Sequence, residues 1–212
     1  ESFKILDSIP QPVWIVTDSD LEQYCQQWQQ QDFIALDTEF IRTSTFFPKA
    51  GLVQVADKND CYLIDPLTIA DWSSFGALLD NQNVVKVFHA CSEDFEVCHC
   101  LTGTIPSPVA DTQLGASLAS LGGIMGFQRL VKAVLDLDID KGETRSDWLQ
   151  RPLRAKQIEY AVADVYYLYK CYQRLVEKLS DLGRLSWWKE DCAHLLESGR
   201  ISDDYSQQYR KV

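Results

Sequence analysis

With 212 residues, 46% of them hydrophobic, the chain is long enough to bury one sizeable core, or a core and an appendage. No apolar run approaches the roughly 20 residues of a membrane-spanning helix, and no secretory signal is recognisable. A net charge of −11 excludes a broad basic nucleic-acid-binding face, though not an enzyme that grips a few phosphates through metal ions. Seven cysteines, an odd number without paired spacing, read as reduced thiols and place the protein in the cytoplasm. The cluster His89, Cys91, Cys98 and Cys100 lacks the spacing of a zinc knuckle.

In chain order, Val13–Val16 reads as a short strand. A helix capped by Asp18 or Ser19 follows to about Gln30, with Leu21, Tyr24, Cys25 and Trp28 on one face. The stretch Phe33–Phe40 is a buried strand, and 41–50 a polar and aromatic loop. Leu52–Ala56 and Cys61–Ile64 flank the turn Asp57–Asp60 and predict an antiparallel hairpin. A short helix over 72–80 and an apolar strand over 84–88 imply a parallel crossover. Ser92 is placed to cap a helix over 93–101 that Gly103 ends. Residues 108–110 form a short strand, and Asp111 caps a helix through Leu121. The remainder is helical, broken at Gly122–Gly123 and over 138–152, with one long helix from about Arg154 to Leu182. This order predicts an α/β domain, a mixed sheet with helices packed on it.

Residues two apart in a strand share a face, so Asp37 and Glu39 project together. Buried side by side without a partner, such carboxylates repel and are costly; a hard divalent cation would relieve them. The plain alternative is that they mark the strand's exit into solvent. Asp94 follows a strand, where open α/β sheets gather ligands, but acids are also common in a helix's first turn. Tyr160 and Asp164 lie four apart on the long helix, nearly opposite the stripe Ile158, Val162, Val165, Tyr169 and Tyr172. Apolar Ala161, Leu168 and Leu175 border them, so the helix is predicted to be covered on more than one side and the pair to line a cleft.

Several motifs carry a resemblance. They are Leu36-Asp-Thr-Glu-Phe40, Thr45-Phe-Phe-Pro48, Leu63-Ile-Asp-Pro-Leu67, His89-Ala-Cys-Ser-Glu-Asp94 and Asp111-Thr-Gln113. Arg145-Ser-Asp-Trp148, Arg151-Pro-Leu153 and Tyr160-Ala-Val-Ala-Asp164 with Val165-Tyr-Tyr-Leu168 complete the set. In this order the chain resembles ribonuclease D, of the tyrosine-type DEDD 3′–5′ exonucleases. The resemblance implies a ribonuclease H-like fold and stepwise hydrolysis of RNA from its 3′ hydroxyl. It implies 5′-mononucleotide products and, as substrates, RNA 3′ ends such as those of tRNA precursors. It assigns two Mg²⁺ or Mn²⁺ ions to Asp37, Glu39, Asp94 and Asp164, with Tyr160 beside the attacking water.

Further expectations follow from that resemblance. Residues 1–180 form the catalytic domain and 181–212 a helical extension and tail, without the helical RNA-binding domains that usually follow; the protein is expected to be a monomer. Phe40, Phe46 and Phe47 are candidates to stack on bases, with core packing as the alternative. Arg42, Lys141 and Arg145 are candidates to hold phosphates, and Gln54 and His89, near strand ends, to touch the terminal nucleotide. The competing readings are a DNA exonuclease of the same superfamily and a non-catalytic RNA-binding scaffold.

Overall fold

Residues 8–42, 47–140, 142–143 and 145–208 are described by a computed structural model, side chains beyond residue 197 excepted. Six strands are present: β1 (Val13–Ile15), β2 (Phe33–Ile41), β3 (Lys49–Ala56), β4 (Cys61–Ile64), β5 (Val85–Phe88) and β6 (Val109–Asp111). They form one sheet in the order β1-β4-β3-β2-β5-β6, in which β3 alone runs antiparallel to its neighbours. The expected hairpin is β3–β4, and its turn is closed by Asp57, whose Oδ1 accepts from Asn59 N–H (2.8 Å) and Asp60 N–H (2.9 Å).

Helices α1 (Asp18–Trp28), α2 (Ser73–Asp80) and α3 (Ser92–Thr102) pack on one another, and α3 on β2 and β3. Helices α4 (Thr112–Leu118), α5 (Phe127–Leu135), α6 (Ala155–Asp181) and α7 (Leu185–Gln208) form a second group. In it α6 crosses β2, β3, β4 and β5 and touches α4, α5 and α7. The alternation of β2 separates the two groups. Phe33 stacks on Tyr169 of α6 (4.5 Å between centroids), whereas Thr38, five residues on, bonds Asp94 of α3. Helix α6 buries Ala161, Val162, Val165, Leu168, Cys171 and Leu175, so it is covered on more than one side as predicted. Helix α7 joins the same core through Trp188, Cys192 and Leu196.

Two predicted caps are corrected. Helix α1 is capped by Thr17, whose hydroxyl oxygen accepts from Asp20 N–H at 3.1 Å. Asp18 serves another segment instead, accepting from Ala70 N–H (2.8 Å) and Asp71 N–H (3.2 Å). Helix α3 begins at Ser92 itself, with Cys91 at the cap position, while Gly103 (φ 72°) ends it as expected. Asp111 does cap its helix, though α4 stops at Leu118 and not Leu121.

The β2–β3 pairing contains a bulge. Glu39 pairs with Leu52 and Phe40 with Ala50, leaving Gly51 as the extra residue. A Cβ on Gly51 would lie 2.5 Å from the carbonyl oxygen of Trp148. Arg151 closes this contact: its Nη2 donates to Gly51 O (2.7 Å) and Asp65 Oδ1 (2.7 Å), its Nε to Asp65 Oδ2 (2.9 Å) and its Nη1 to Trp148 O (2.9 Å). Burial pushes the Asp65 carboxyl up, but the Arg151 bonds and Leu67 N–H outweigh it and hold the group below its usual range. The result is a clamp that seats Trp148, 1% exposed, beside Tyr160. Gly51→Ala must displace backbone and should cost about 1–3 kcal/mol, read as a lower urea midpoint. Gly123→Ala, where a Cβ meets nothing within 4 Å, should leave the midpoint nearly unchanged.

Candidate active site

Strand β2 presents Asp37 and Glu39 toward α6, where Asp164 meets them one turn beyond Tyr160. Ligand oxygens of Asp37, Glu39 and Asp164 all lie within 4.8 Å of one another. Asp94 stands outside that cluster. It arrives from the first turn of α3 on the other face of the sheet and accepts from the Thr38 hydroxyl at 2.6 Å. Thr38 also donates its N–H to Asp37 Oδ1 (2.9 Å), so one residue ties the two carboxylates together. Solvent exit is therefore the wrong reading for these acids: Asp37 is half-buried, Glu39 is 9% exposed and Asp94 and Asp164 are each 7% exposed.

Burial sets their protonation. Desolvation raises the Asp37 carboxyl to about 6, with the Thr38 N–H and a hydrogen bond from Asp164 opposing it. Desolvation, then the charges of Asp37, Asp164 and Asp94, push Glu39 to about 10. Asp94 and Asp164 are likewise held well above the usual range, first by desolvation and then by the charge of Asp37. Tyr160 donates a hydrogen bond to Asp164, which partly offsets that rise. An all-carboxylate, oxygen-only donor set under this mutual repulsion fits a hard dication such as Mg²⁺ or Mn²⁺.

A cleft of about 110 Å³ opens on the cluster, lined by Asp37, His89, Phe127, Gln128, Tyr160 and Asp164, with Leu168 at its side. A larger cavity of about 370 Å³ shares Tyr160 and Asp164, but Asp138, Asp140, Glu143 and Glu159 line it. Those carboxylates make it the poorer host for a polyphosphate chain. His89 lines the smaller cleft, and both of its ring nitrogens are engaged. One lies 3.0 Å from Met125 O, leaving Nδ1 to accept from the Thr112 hydroxyl at 2.8 Å. Desolvation lowers its pKa. His89 thus anchors the 119–126 segment and offers a nucleotide only its ring.

Other expected contacts are placed differently. Gln54 is completely buried and out of a nucleotide's reach, which corrects its assignment to substrate contact. The reason is its register: it is flanked by Asp37 of β2 on one side and Leu63 of β4 on the other, in the interior of the sheet. Arg42 is exposed and ion-paired with Glu96 of α3. Arg145 is exposed, Phe40 half-buried and Phe47 57% exposed. Thr45, Phe46 and Lys141 lie outside the described residues. Cys91 and Cys98 are buried and Cys100 is exposed; among the described residues the acid cluster alone has the spacing of a metal site.

The sequence did not single out Thr38, Phe127 or Gln128, nor a second duty of Asp111. Besides capping α4, the Asp111 carboxylate accepts from Ala90 N–H (3.1 Å) and Cys91 N–H (3.0 Å). It thereby holds Ala90 at φ 57° and fixes the turn that delivers Asp94. A signal existed: a helix-capping Asp directly after a short strand beside β5 can reach the neighbouring strand's exit as well.

The sequence profile of the 3′–5′ exonuclease family matches residues 12–180. The chain is 49% identical to ribonuclease D of Pseudomonas paraeruginosa over 203 residues, 96% of this chain and 54% of that protein. The crystal structure of Escherichia coli RNase D, an exoribonuclease involved in structured RNA processing, superposes with a TM-score of 0.85 at 38% identity. That match covers 90% of this chain and 51% of the other. Brucella melitensis NrnC with bound Mg²⁺ matches with a TM-score of 0.69 at 25% identity, over 82% of this chain and 86% of that one. The chain spans about half the length of the ribonucleases D it matches. The sheet and its helices are the ribonuclease H-like arrangement that the motifs implied. A family profile matched over most of the chain and a superposable relative agree: the chain belongs to the 3′–5′ exonuclease family.

Proposed function

We propose that the protein is a metal-dependent 3′–5′ exoribonuclease. The observation that carries this reading is the convergence of Asp37, Glu39 and Asp164 within 4.8 Å, with Asp94 joined through Thr38. Likeness to ribonucleases D supports RNA 3′ ends as substrate, tRNA precursors among them. The seven free cysteines support a reducing, cytoplasmic setting. No helix among the described residues is long and apolar enough to cross a membrane.

Asp37, Glu39, Asp94 and Asp164 are the residues that would hold two Mg²⁺ or Mn²⁺ ions. When bound, these ions supply charge neutralisation at the scissile phosphate and a lowered pKa for the attacking water. The protein's own groups do the positioning. The Thr38 hydroxyl donates to Asp94 Oδ1 and so holds that carboxylate in place. Tyr160, packed against Trp148 at 6.1 Å and bonded to Asp164, orients the attacking water from the cleft wall. Phe127 and Gln128 of the cleft wall flank the terminal nucleotide, and the exposed Arg145 meets the phosphate backbone. Water adds to phosphorus and the bond to the 3′ oxygen breaks. A 5′-mononucleotide leaves, and the shortened chain keeps a 3′ hydroxyl.

The direct test uses 5′-labelled RNA and matched DNA, with and without Mg²⁺ or Mn²⁺. A metal-dependent ladder shortening from the 3′ end on RNA, lost in Asp37→Ala, is expected; no ladder at all would sink the proposal. Tyr160→Phe should lower kcat by about 10²-fold or more while leaving RNA affinity close to that of the parent.

Protonation gives a further expectation. A carboxyl whose folded pKa is raised contributes stability that is present below its unfolded value and lost as pH rises through the folded one. Asp37 (3.8 to about 6) and Glu39 (4.5 to about 10) therefore make the metal-free protein less stable as pH rises above about 4. In EDTA the Tm should fall between about pH 5 and pH 8. Mn²⁺ should restore it, with a larger gain at the higher pH because the ligands must lose protons to bind. Glu39→Gln should raise the metal-free stability by about 0.5–2 kcal/mol and abolish the response to Mn²⁺.

A further inference from the structure

Gln54 is 0% exposed, and neither its Nε2 nor its Oε1 finds a hydrogen-bond partner. Trp28 and Trp148 also bury an unbonded Nε1, but Gln54 leaves both a donor and an acceptor unmet. A buried polar group without a partner costs about 1–3 kcal/mol. A methionine would fill nearly the same volume at none of that cost. An amide that contributes nothing to the metal-free fold needs another reason to be there.

Its position supplies one. Gln54 of β3 is directly opposite Asp37 of β2 in the antiparallel register. Residues so paired share a face, with Cβ atoms about 4.5–5.5 Å apart. That face looks toward α6, where Asp164 bonds Asp37. The amide thus lies under the carboxylate pair, within the span of one side chain and screened from solvent. In the metal-free arrangement Asp37 is satisfied without it, by Thr38 N–H and by Asp164. A cation taken up by this cluster would compete with the direct Asp37–Asp164 hydrogen bond, and the carboxylates would re-aim. The neutral donor beside the re-aimed Asp37 is then Gln54 Nε2–H.

We propose that Gln54 is a positioning residue for the reaction: its side-chain amide, across the sheet from Asp37, is the hydrogen-bond partner of Asp37 in the cation-loaded site. Gln54 touches neither substrate nor cation. It orients a ligand from behind, and outer partners of this kind carry about 10–100-fold in metal affinity. This rests on the cation reading of the acid cluster given above.

The test compares wild type, Gln54→Met and Gln54→Leu in two measurements: thermal unfolding in EDTA, and Mn²⁺ binding by calorimetry. The expected result is a split. The metal-free variants melt at or above the wild-type temperature, yet bind Mn²⁺ about 10-fold or more weakly. A residue with a merely structural role would give the reverse. Variants that bind Mn²⁺ as wild type does would overturn the inference and leave the cation reading intact. Variants that melt lower in EDTA, or fail to fold, would also overturn it, since the amide would then be partnered in the metal-free fold. A wild type that binds no Mn²⁺ would overturn the cation reading itself, and this inference with it.

Discussion

Mutual repulsion among buried carboxylates is the constraint around which this fold is built. Two unit charges 4.8 Å apart, the outer separation of the Asp37–Glu39–Asp164 oxygens, repel by roughly 3 kcal/mol at an effective dielectric constant of 20. Desolvation adds to that, as the raised carboxyls show. The metal-free protein answers by keeping protons on the cluster and by sharing hydrogen bonds between Asp37, Asp164 and Tyr160. Neither answer suffices without a scaffold that stops the acids from swinging out to water.

That scaffold is assembled from ordinary parts. The apolar stripe of α6 lies across four strands, so Asp164 cannot leave without unseating a buried helix, at roughly 1.5–3 kcal/mol for each large side chain exposed. Asp94 is held twice, by Thr38 from the strand and by the Asp111-bound turn that starts α3. Tyr160 is held by Trp148, which the Arg151–Asp65 pair presses against β3. The catalytic candidates come from three elements, β2, α3 and α6, and each element's position is fixed largely by residues that have no part in the chemistry.

Much of this was legible in the sequence where periodicity carried it. The period of two put Asp37 and Glu39 on one face, and the turn spacing put Tyr160 over Asp164. What escaped depended on long-range register. Thr38 sits between the two acids and, by alternation, reads as a residue of the opposite face; only the arrival of α3 there gives its hydroxyl a carboxylate to bind. Gln54 read as a residue near a strand end because the sequence could not say which β2 residue it faces; paired with Asp37, it lies in the sheet's interior. The caps of α1 and α3 were each misplaced by one or two residues, because Asp18 and Ser92 are good caps in isolation. Asp18 was recruited instead by the backbone of residues 70 and 71.

The bulge at Gly51 has one more effect. Ala50 and Leu52 are two apart in β3 and in a regular strand would share a side, yet they pair with consecutive residues of β2. The strand therefore changes phase just where the acidic face ends. Beyond Glu39 the ladder counts from a new origin. Removing the extra residue would not shorten a loop; it would slide the pairing by one and turn either Glu39 or everything after it to the wrong side. The geometry of the acid cluster thus depends on a residue with no side chain, at a place where the two strands disagree about how long they are.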